Sequence, residues 1–228
     1  KEFASAPLLK SATSHVPMIK SSLILLSGGQ GTRFGSKIPK QYLPLNGTPL
    51  VLHSLKILSS LPQIAEVIVV CDPSYQETFQ EYPVSFAIPG ERRQDSVFSG
   101  LQQVSYPWVI IHDGARPFIY PDEIHDLLET AEKIGATALA SPIPYTIKQR
   151  NPVRTLDRDN LAIIHTPQCI KTEILREGLA LAKEKQLTLV DDIEAAEIIG
   201  KPSQLVFNKH PQIKISYPED LTIAQALL

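Results

Sequence analysis

The feature that most constrains the fold is a short apolar run that passes directly into a glycine-rich, basic loop. Residues 23–26, Leu-Ile-Leu-Leu, are typical of a buried strand. The glycines that follow are Gly28, Gly29 and Gly31, and they let the backbone approach a ligand without Cβ clashes. The basic residues of the loop are Arg33, Lys37 and Lys40, and no acidic residue lies between Ser27 and Tyr42. A strand that ends in a cationic glycine loop favours polyphosphate binding.

Two common glycine-loop motifs do not fit this spacing. The dinucleotide fingerprint G-x-G-x-x-G has Phe34 where its third glycine belongs, and the P-loop ending Gly-Lys-Ser/Thr is absent from the loop sequence. An NAD-dependent oxidoreductase is therefore a poor match, since it also needs a suitable acidic residue about 20 positions further on. From the loop alone, a glycine-rich turn with solvated basic residues remains the alternative.

Composition limits the classes of partner. The chain has 228 residues and 43% hydrophobic content, which is enough for one domain with a large core. A net charge of −2 gives no global basic field for nucleic acid. No apolar run approaches the roughly 20 residues that a membrane span requires. We therefore expect no nucleic-acid or membrane partner and a cytoplasmic location.

Two further predictions concern the N-terminal residues and the two cysteines. Residues 1–17 lack periodicity, and Met18 is the only methionine. We expect residues 1–17 to be a tail added before the native start and residues 18–228 to form a single domain. Cys71 and Cys169 are expected to be free thiols, because a lone disulfide or metal pair would be atypical here.

Apolar strand-like runs alternate with amphipathic helical patterns along most of the chain. The pattern predicts an α/β fold with a doubly wound, mostly parallel sheet covered by helices on both faces. Ligands of such sheets bind beyond the carboxyl ends of the strands. The glycine loop, Asp72, Gly90 and Asp113 each follow a predicted strand, so they should share one rim.

Some local predictions are more specific. Thr48-Pro49 favours a helix start, and residues 191–199 favour a helix capped by Asp191 or Asp192. Residues 213–216 are predicted to be a short strand that carries Lys214. The polar, proline-containing region at about 144–166 is predicted to leave the sheet as a protruding arm.

Further motifs follow the glycine loop in order. They are G-E-R-R-Q-D-S-V at 90–97, H-D-G-A-R-P at 112–117, T-I-K at 146–148 with T-L-D-R at 155–158, and Q-I-K-I-S-Y-P-E-D-L at 212–221. Together with G-G-Q-G-T-R-F-G-S-K-I-P-K-Q at 28–41, they resemble the 2-C-methyl-D-erythritol 4-phosphate cytidylyltransferases. That resemblance implies a Rossmann-like nucleotidyltransferase fold and an enzyme that transfers CMP from CTP to 2-C-methyl-D-erythritol 4-phosphate. Pyrophosphate would be released, in isoprenoid precursor biosynthesis.

The resemblance also assigns roles to individual residues. Catalytic roles, through contact with the triphosphate, the developing charge or the acceptor phosphate, fall on Arg33, Lys40, Arg158 and Lys214. Substrate binding falls on Ser27, Gly28, Gly29, Gly31, Gly90, Glu91, Ser96, Asp113, Arg116 and Thr146. Ser27 and Glu91 would act through their backbones.

Cofactor and partner follow from the same resemblance. Mg²⁺ is expected, held mainly by the CTP phosphates and water rather than by protein ligands. The arm implies a homodimer in which Thr146 and Arg158 reach the acceptor phosphate of the partner subunit's site. Arginine suits this role because its guanidinium binds phosphate through two donors.

Several alternatives stay open. The sequence departs from the family pattern at Ala162, where tryptophan is expected, and mildly at Gly114. A ribitol 5-phosphate cytidylyltransferase shares the CTP half of the site, and a non-catalytic nucleotide sensor would bind CTP without releasing pyrophosphate. Arg93 and Asp95 fit an ion pair at a helix start as well as they fit a substrate role. His112 is interpreted as a packed histidine, because phosphoryl transfer of this kind needs no side-chain base.

Overall fold

The computed structural model describes residues 19–31 and 34–228. The strands are β1 (Ser21–Leu26), β2 (Pro44–Leu45), β3 (Thr48–Pro49), β4 (Ile64–Val70), β5 (Ser85–Ala87), β6 (Trp108–Asp113), β7 (Ala136–Pro142), β8 (Ile147–Gln149), β9 (Arg154–Leu156), β10 (Ala162–Lys171) and β11 (Gln204–Phe207). The α-helices are α1 (Leu50–Ser60), α2 (Arg93–Leu101), α3 (Pro121–Ile134), α4 (Thr172–Glu184), α5 (Glu194–Glu197) and α6 (Pro218–Leu227). Short 3-10 helices span Lys40–Tyr42, Pro73–Phe79 and Arg158–Asn160. The predictions for residues 1–17 and for Arg33 fall outside the described residues.

The central sheet confirms the predicted fold class. Within the described residues it has seven strands in the order β11-β7-β10-β6-β1-β4-β5. Only β10 runs antiparallel to its neighbours β6 and β7, and the other adjacent pairs are parallel. The chain adds β4 and β5 on one side of β1 and then returns to place β6 on the other, so the switch of direction lies at β1.

Helices cover both faces of the sheet because the strand side chains alternate. Ile24, Ile68 and Val109 pack on the face covered by α2, α4 and α5. Leu23 and Val69, one residue out of phase, pack on the face covered by α1 and α3. This period of two is what places successive side chains of a strand on opposite faces. A third apolar cluster joins α6 to the start of α1.

Three local predictions are wrong. Residues 213–216 form no strand among the described residues, and Ile215 N donates instead to Ala115 O at 2.9 Å. Thr48 does not cap α1, because it pairs with Leu45 in a small hairpin and the helix begins at Leu50. The helix predicted over 191–199 is shorter, Glu194–Glu197.

Residues 143–161 contain the hairpin β8–β9, which forms its own two-stranded sheet. Tyr145 and Val153 of this segment are exposed. The hairpin leaves from the carboxyl end of β7 and returns through β10, on the same rim as the end of β1. Its role in dimerisation stays a prediction.

None of the helices in residues 19–31 and 34–228 is both long and apolar enough to cross a bilayer. Cys71 and Cys169 are free and buried, as expected.

The contact between α4 and α5 gives a stability prediction. A Cβ added to Gly178 of α4 would overlap the carbonyl oxygen of Ala195 in α5. Gly178→Ala should therefore lower the free energy of unfolding by about 1–3 kcal/mol, although alanine normally favours a helix interior. Urea denaturation measures the loss. Glu177→Ala, at the exposed neighbouring position, is the control and should change stability by less than about 0.5 kcal/mol. A Gly178→Ala protein as stable as the wild type would contradict this packing.

Candidate active site

A cleft of about 1070 Å³ lies at the carboxyl ends of β1, β4, β5 and β6. It brings together most of the residues predicted from the sequence. The predicted residues that line it are Ser27, Gly28, Gly29, Gly31, Lys40, Gly90, Glu91, Ser96, Asp113 and Lys214. Asp72 also lines it, so the rim predicted for a doubly wound sheet is where these groups meet.

The glycine loop needs its small residues for space and conformation. A Cβ on Gly28 would overlap the ring of Pro89, so the loop can pass this close to the end of β5 only without a side chain. Gly31 has a φ of +63°, which favours glycine. A Cβ there would lie 3.5 Å from Cγ of Lys40, so the loop runs directly beside the lysine stem.

Ser27 sits at the end of β1 with its backbone already engaged. Its N–H donates to Val70 O at 2.8 Å, and its carbonyl accepts from Gln41 Nε2 at 2.7 Å and Tyr42 Oη at 2.9 Å. Its Oγ is buried and has no hydrogen-bond partner among the described residues. Both backbone groups of Ser27 thus have partners within the chain, and the contact expected between its backbone and the nucleotide stays a prediction.

The segment that follows β5 is held by its own polar side chains. Gly90 N donates to Ser96 Oγ at 3.0 Å, and Asp95 accepts from the backbone and guanidinium of Arg92 at the start of α2. The sequence left open whether Asp95 forms an ion pair at the start of this helix. It does, but its partner is Arg92 rather than Arg93. It fixes the backbone of residues 90–92 along the cleft wall.

Arg93 instead turns inward and bridges two carboxylates. Its Nε donates to Asp113 Oδ1 at 3.1 Å, and its two terminal nitrogens donate to the two oxygens of Asp192 at 2.7 Å each. Asp192 is only 4% exposed. Of the two residues predicted as alternative caps, Asp191 accepts from Glu194 N at 3.0 Å as a cap would, whereas Asp192 pairs with Arg93 instead.

Asp113, at the end of β6, is the centre of charge in the site. Besides Arg93, its carboxylate accepts from Lys214 Nζ at 2.7 Å and lies 3.8 Å from Arg116 Nε. It is 8% exposed. Burial alone would raise its pKa, but attraction to Arg93, Lys214 and Arg116 outweighs burial and holds the pKa well below its usual range. Asp113 is therefore ionised and faces three cations.

Arg116 lies beneath the cleft rather than in its lining. It is 8% exposed, and its Nη1 donates to His165 Nδ1 at 3.0 Å. His165 then donates from Nε2 to Ser141 Oγ at 2.7 Å. These contacts tie β6 to β7 and β10. The predicted contact between Arg116 and the acceptor stays a prediction, and the structure shows Arg116 supporting Asp113 from below.

His112 is a packed residue, as its interpretation from sequence suggested. Its Nε2 donates to Arg116 O at 2.9 Å, and its Nδ1 accepts from Thr166 Oγ1 at 3.1 Å. The same hydroxyl accepts from Asp113 N at 3.0 Å. Burial lowers the pKa of His112 to about 4, so the ring is neutral near pH 7 and fixes the backbone of Asp113.

The two predicted arm residues do not reach the cleft of their own chain. Thr146 is exposed, and Arg158 donates to Pro144 O at 2.8 Å within the arm. Arg33 falls outside the described residues. No group of three or more histidine, cysteine or acidic side chains in residues 19–31 and 34–228 is arranged to hold a metal ion.

The comparison with known proteins identifies the family. The family model for IspD, 2-C-methyl-D-erythritol 4-phosphate cytidylyltransferase, matches residues 22–228. The chain belongs to the IspD cytidylyltransferase family. It is therefore an enzyme of the nucleotidyltransferase class. Cytidylyltransferases of this kind typically use a divalent metal.

Relatives of the IspD family agree in sequence and in fold. The 2-C-methyl-D-erythritol 4-phosphate cytidylyltransferase of Chlamydia abortus is 64% identical over 209 residues, which is 92% of this chain and 96% of that protein. The crystal structure of the enzyme of the same name from Thermus thermophilus has a TM-score of 0.76 at 32% identity and covers 92% of this chain and 98% of its own. The Francisella tularensis IspD structure has a TM-score of 0.80 at 28% identity and covers 92% and 100%.

One departure from the IspD pattern has a local explanation. A Cβ at Gly114 would lie 2.9 Å from Val51 Cγ2 and 3.0 Å from Leu26 O. The start of α1 therefore occupies the space that a side chain at position 114 would need. The structure explains nothing about Ala162 beyond its partial burial at the start of β10.

The buried histidines predict how stability depends on pH. Burial and the neighbouring Arg116 lower the pKa of His165 to about 4, and burial lowers that of His112 equally. An unfolded histidine titrates near pH 6.5, so the unfolded chain binds more protons between about pH 4 and 6.5 and the folded state loses stability as pH falls through that window.

His165→Gln should reduce this acid-induced loss by on the order of 2 kcal/mol, measured by urea denaturation at pH 7 and pH 4.5. His53→Gln, at a partly exposed histidine outside the cluster, is the control and should retain the wild-type difference. Equal pH dependence in His165→Gln and the wild type would show that His165 does not titrate as a buried group.

Proposed function

We propose that this enzyme transfers CMP from CTP to 2-C-methyl-D-erythritol 4-phosphate and releases pyrophosphate, as a step of isoprenoid precursor biosynthesis. One observation carries the proposal: the glycine loop, Lys40, the residues Gly90, Glu91 and Ser96, and the Asp113–Lys214 pair line a single cleft. Relatives with this activity in their names align with almost the whole chain.

The reaction joins two anions, and positioning is the main demand. A phosphate oxygen of the acceptor attacks the α-phosphorus of CTP, the bond to the β-phosphate oxygen breaks, and pyrophosphate leaves with that electron pair. Negative charge builds on the α-phosphoryl oxygens. Catalysis consists of alignment and electrostatic stabilisation, with no side-chain nucleophile.

The glycine loop and Lys40 serve the triphosphate in this proposal. Backbone N–H groups at the end of a strand donate to phosphate oxygens, and a lysine adds a mobile positive charge. Arg33 joins them as the second predicted cation. Gly28, Gly29 and Gly31 leave room for the phosphates to contact the backbone.

The cytosine is assigned to the wall formed by Gly90, Glu91 and Ser96. Cytosine has an N4 donor edge and O2 and N3 acceptors, which match backbone C=O and N–H groups. The contact that Ser96 Oγ makes with Gly90 N keeps that backbone in place. Ser27, which directly follows β1, lines the same cleft.

Lys214 is assigned to the acceptor phosphate. Its ammonium is held by Asp113 at 2.7 Å, yet its side chain is 38% exposed at the cleft. Asp113 therefore holds the Lys214 ammonium at the mouth of the cleft. Because Arg93 also pairs with Asp113, the positive charge of Lys214 is not fully cancelled by this carboxylate.

Mg²⁺ is assigned to the nucleotide rather than to a protein cage. Both aspartates of the lining are engaged with other groups: Asp72 accepts from Ser74 N and Oγ, and Asp113 faces three cations. Such a donor set fits an ion that keeps its waters and binds through substrate phosphates. When bound, the ion neutralises charge on the leaving pyrophosphate.

The homodimer completes the acceptor end in this proposal. Thr146 and Arg158 lie on an arm that does not reach its own cleft, so each arm would serve the site of the second copy. We place the protein in the cytoplasm, with CTP and a polyol phosphate as its small-molecule partners.

A direct assay tests the proposed reaction. The enzyme is incubated with CTP, Mg²⁺ and either 2-C-methyl-D-erythritol 4-phosphate or ribitol 5-phosphate, and pyrophosphate release is followed. Release with the first acceptor alone is the expected result. Pyrophosphate release only with ribitol 5-phosphate would identify that molecule as the acceptor. CTP binding without pyrophosphate release with either acceptor would indicate a nucleotide sensor.

Lys40 gives the first mutational prediction. Lys40→Ala should lower kcat by about 10²- to 10³-fold, because it removes a preorganised donor to the developing charge. Lys56→Ala, on the exposed face of α1, is the matched control and should keep wild-type kcat. Wild-type turnover by a folded Lys40→Ala protein would remove Lys40 from the mechanism.

A mixing experiment tests the shared site. Arg33→Ala and Arg158→Ala proteins should each be nearly inactive, but a heterodimer of the two contains one intact site. After equal mixing and re-equilibration, about a quarter of wild-type activity should return, since half of the dimers are heterodimers with one intact site of two. Mixtures that stay inactive while size-exclusion chromatography shows dimers would contradict the exchange of arms.

A further inference from the structure

Gln41 binds the inside of the glycine loop with both hydrogens of its carboxamide. Its Nε2 donates to Ser27 O at 2.7 Å and to Gly29 O at 2.8 Å. Gln41 is 3% exposed, and its bond to Ser27 O is buried. Gln41 therefore fixes two of the loop's carbonyl groups from the 3-10 turn Lys40–Tyr42.

Tyr42 adds a second donor to the same loop. Its hydroxyl donates to Ser27 O at 2.9 Å, so that carbonyl accepts two hydrogen bonds from adjacent side chains. The ring of Tyr42 stacks on Tyr75 with centroids 4.0 Å apart and planes 6° apart. The hydroxyl is thus placed by a segment that itself lines the cleft.

These bonds determine which way the peptide groups of the loop point. In a trans peptide the N–H points opposite to the preceding C=O. When the carbonyls of Ser27 and Gly29 face Gln41, the N–H groups of Gly28 and Gln30 must face away from it. Neither N–H donates to an acceptor within the described part of the chain, so both remain available to an anion.

The same turn places Lys40. Gln41 follows Lys40 directly, and the lysine stem runs along Gly31. Anchoring Gln41 to the loop therefore fixes the distance between the loop amides and the lysine. A triphosphate needs both at once, because it bridges donors several ångströms apart.

We propose that Gln41, assisted by Tyr42, is a positioning residue that turns the N–H groups of the glycine loop toward a nucleoside triphosphate. The inference rests on the proposed function, since it concerns the CTP side of that site. Gln41 acts through the loop and does not itself donate to the phosphates, because both of its N–H groups are already bonded to carbonyls.

The test is ligand binding, which does not depend on turnover. Isothermal titration calorimetry measures the Kd of CTP and of inorganic tripolyphosphate for the wild type, Gln41→Met and Tyr42→Phe. Methionine keeps the length of the side chain and introduces no charge. Phenylalanine removes the hydroxyl and keeps the stacked ring, so this variant retains the fold.

Gln94→Met is the matched control for loss of a buried glutamine. Gln94 is 6% exposed, donates to Leu187 O at 3.1 Å and accepts from Leu189 N at 2.7 Å, and it does not line the cleft. It should lose stability like Gln41→Met while binding CTP as the wild type does.

Gln41→Met should weaken both CTP and tripolyphosphate by on the order of tenfold, and Tyr42→Phe by about two- to threefold. Steady-state kinetics should show a raised KM for CTP and an unchanged KM for the acceptor, a split that a general loss of stability would not produce. Wild-type Kd values in Gln41→Met, or equal weakening in Gln94→Met, would overturn the inference and leave the proposed function standing. A wild type that binds neither ligand would overturn the proposed function and this inference with it.

Discussion

The carboxylate of Asp113 is the interaction on which the rim of the cleft depends. It collects Arg93 from α2, Arg116 from the loop after β6, and Lys214 from the segment before α6. Each of these cations is at least partly buried, and a buried charge without a partner is strongly destabilising. One short side chain at the end of a central strand therefore holds together three parts of the chain that are distant in sequence. The further pair between Arg93 and Asp192 extends this network to the start of α5.

The loop that carries Lys214 is fixed mainly by polar contacts with α3. Glu123 is buried in the first turn of that helix, and it accepts from Lys209 N at 2.6 Å, His210 N at 2.8 Å and Gln212 Nε2 at 2.9 Å. This buried carboxylate therefore anchors the segment that directly precedes residues 213–216. Lys214 is therefore fixed at both ends: Glu123 anchors the backbone that precedes it, and Asp113 binds its ammonium.

The sequence predicts what depends on local pattern and misses what depends on distant pairing. A continuous apolar run such as residues 67–71 predicts a buried strand, and the spacing of glycines and basic residues predicts the cleft, because both signals lie within a few residues. The bridge from Arg93 to Asp192 joins residues 99 positions apart, and nothing near Asp192 distinguishes an ion-pair partner from a helix cap. Residues 213–216 alternate like a strand, but Ile215 packs into the cluster beside α6 rather than into the sheet. Arg116 matched a motif, yet only the fold shows that the guanidinium turns toward His165.

The reversed direction of β10 has a consequence for how this fold tolerates change. Because β7 ends and β10 begins on the same side of the sheet, with Ala162 opposite Pro142, the chain between them starts and finishes at nearly the same place. Lengthening that excursion adds only a slowly growing closure entropy and leaves every pairing of the central sheet unchanged. The central sheet therefore places little constraint on the size of this segment, and a peptide tag inserted near its exposed tip at Val153 would leave the strand pairing unchanged.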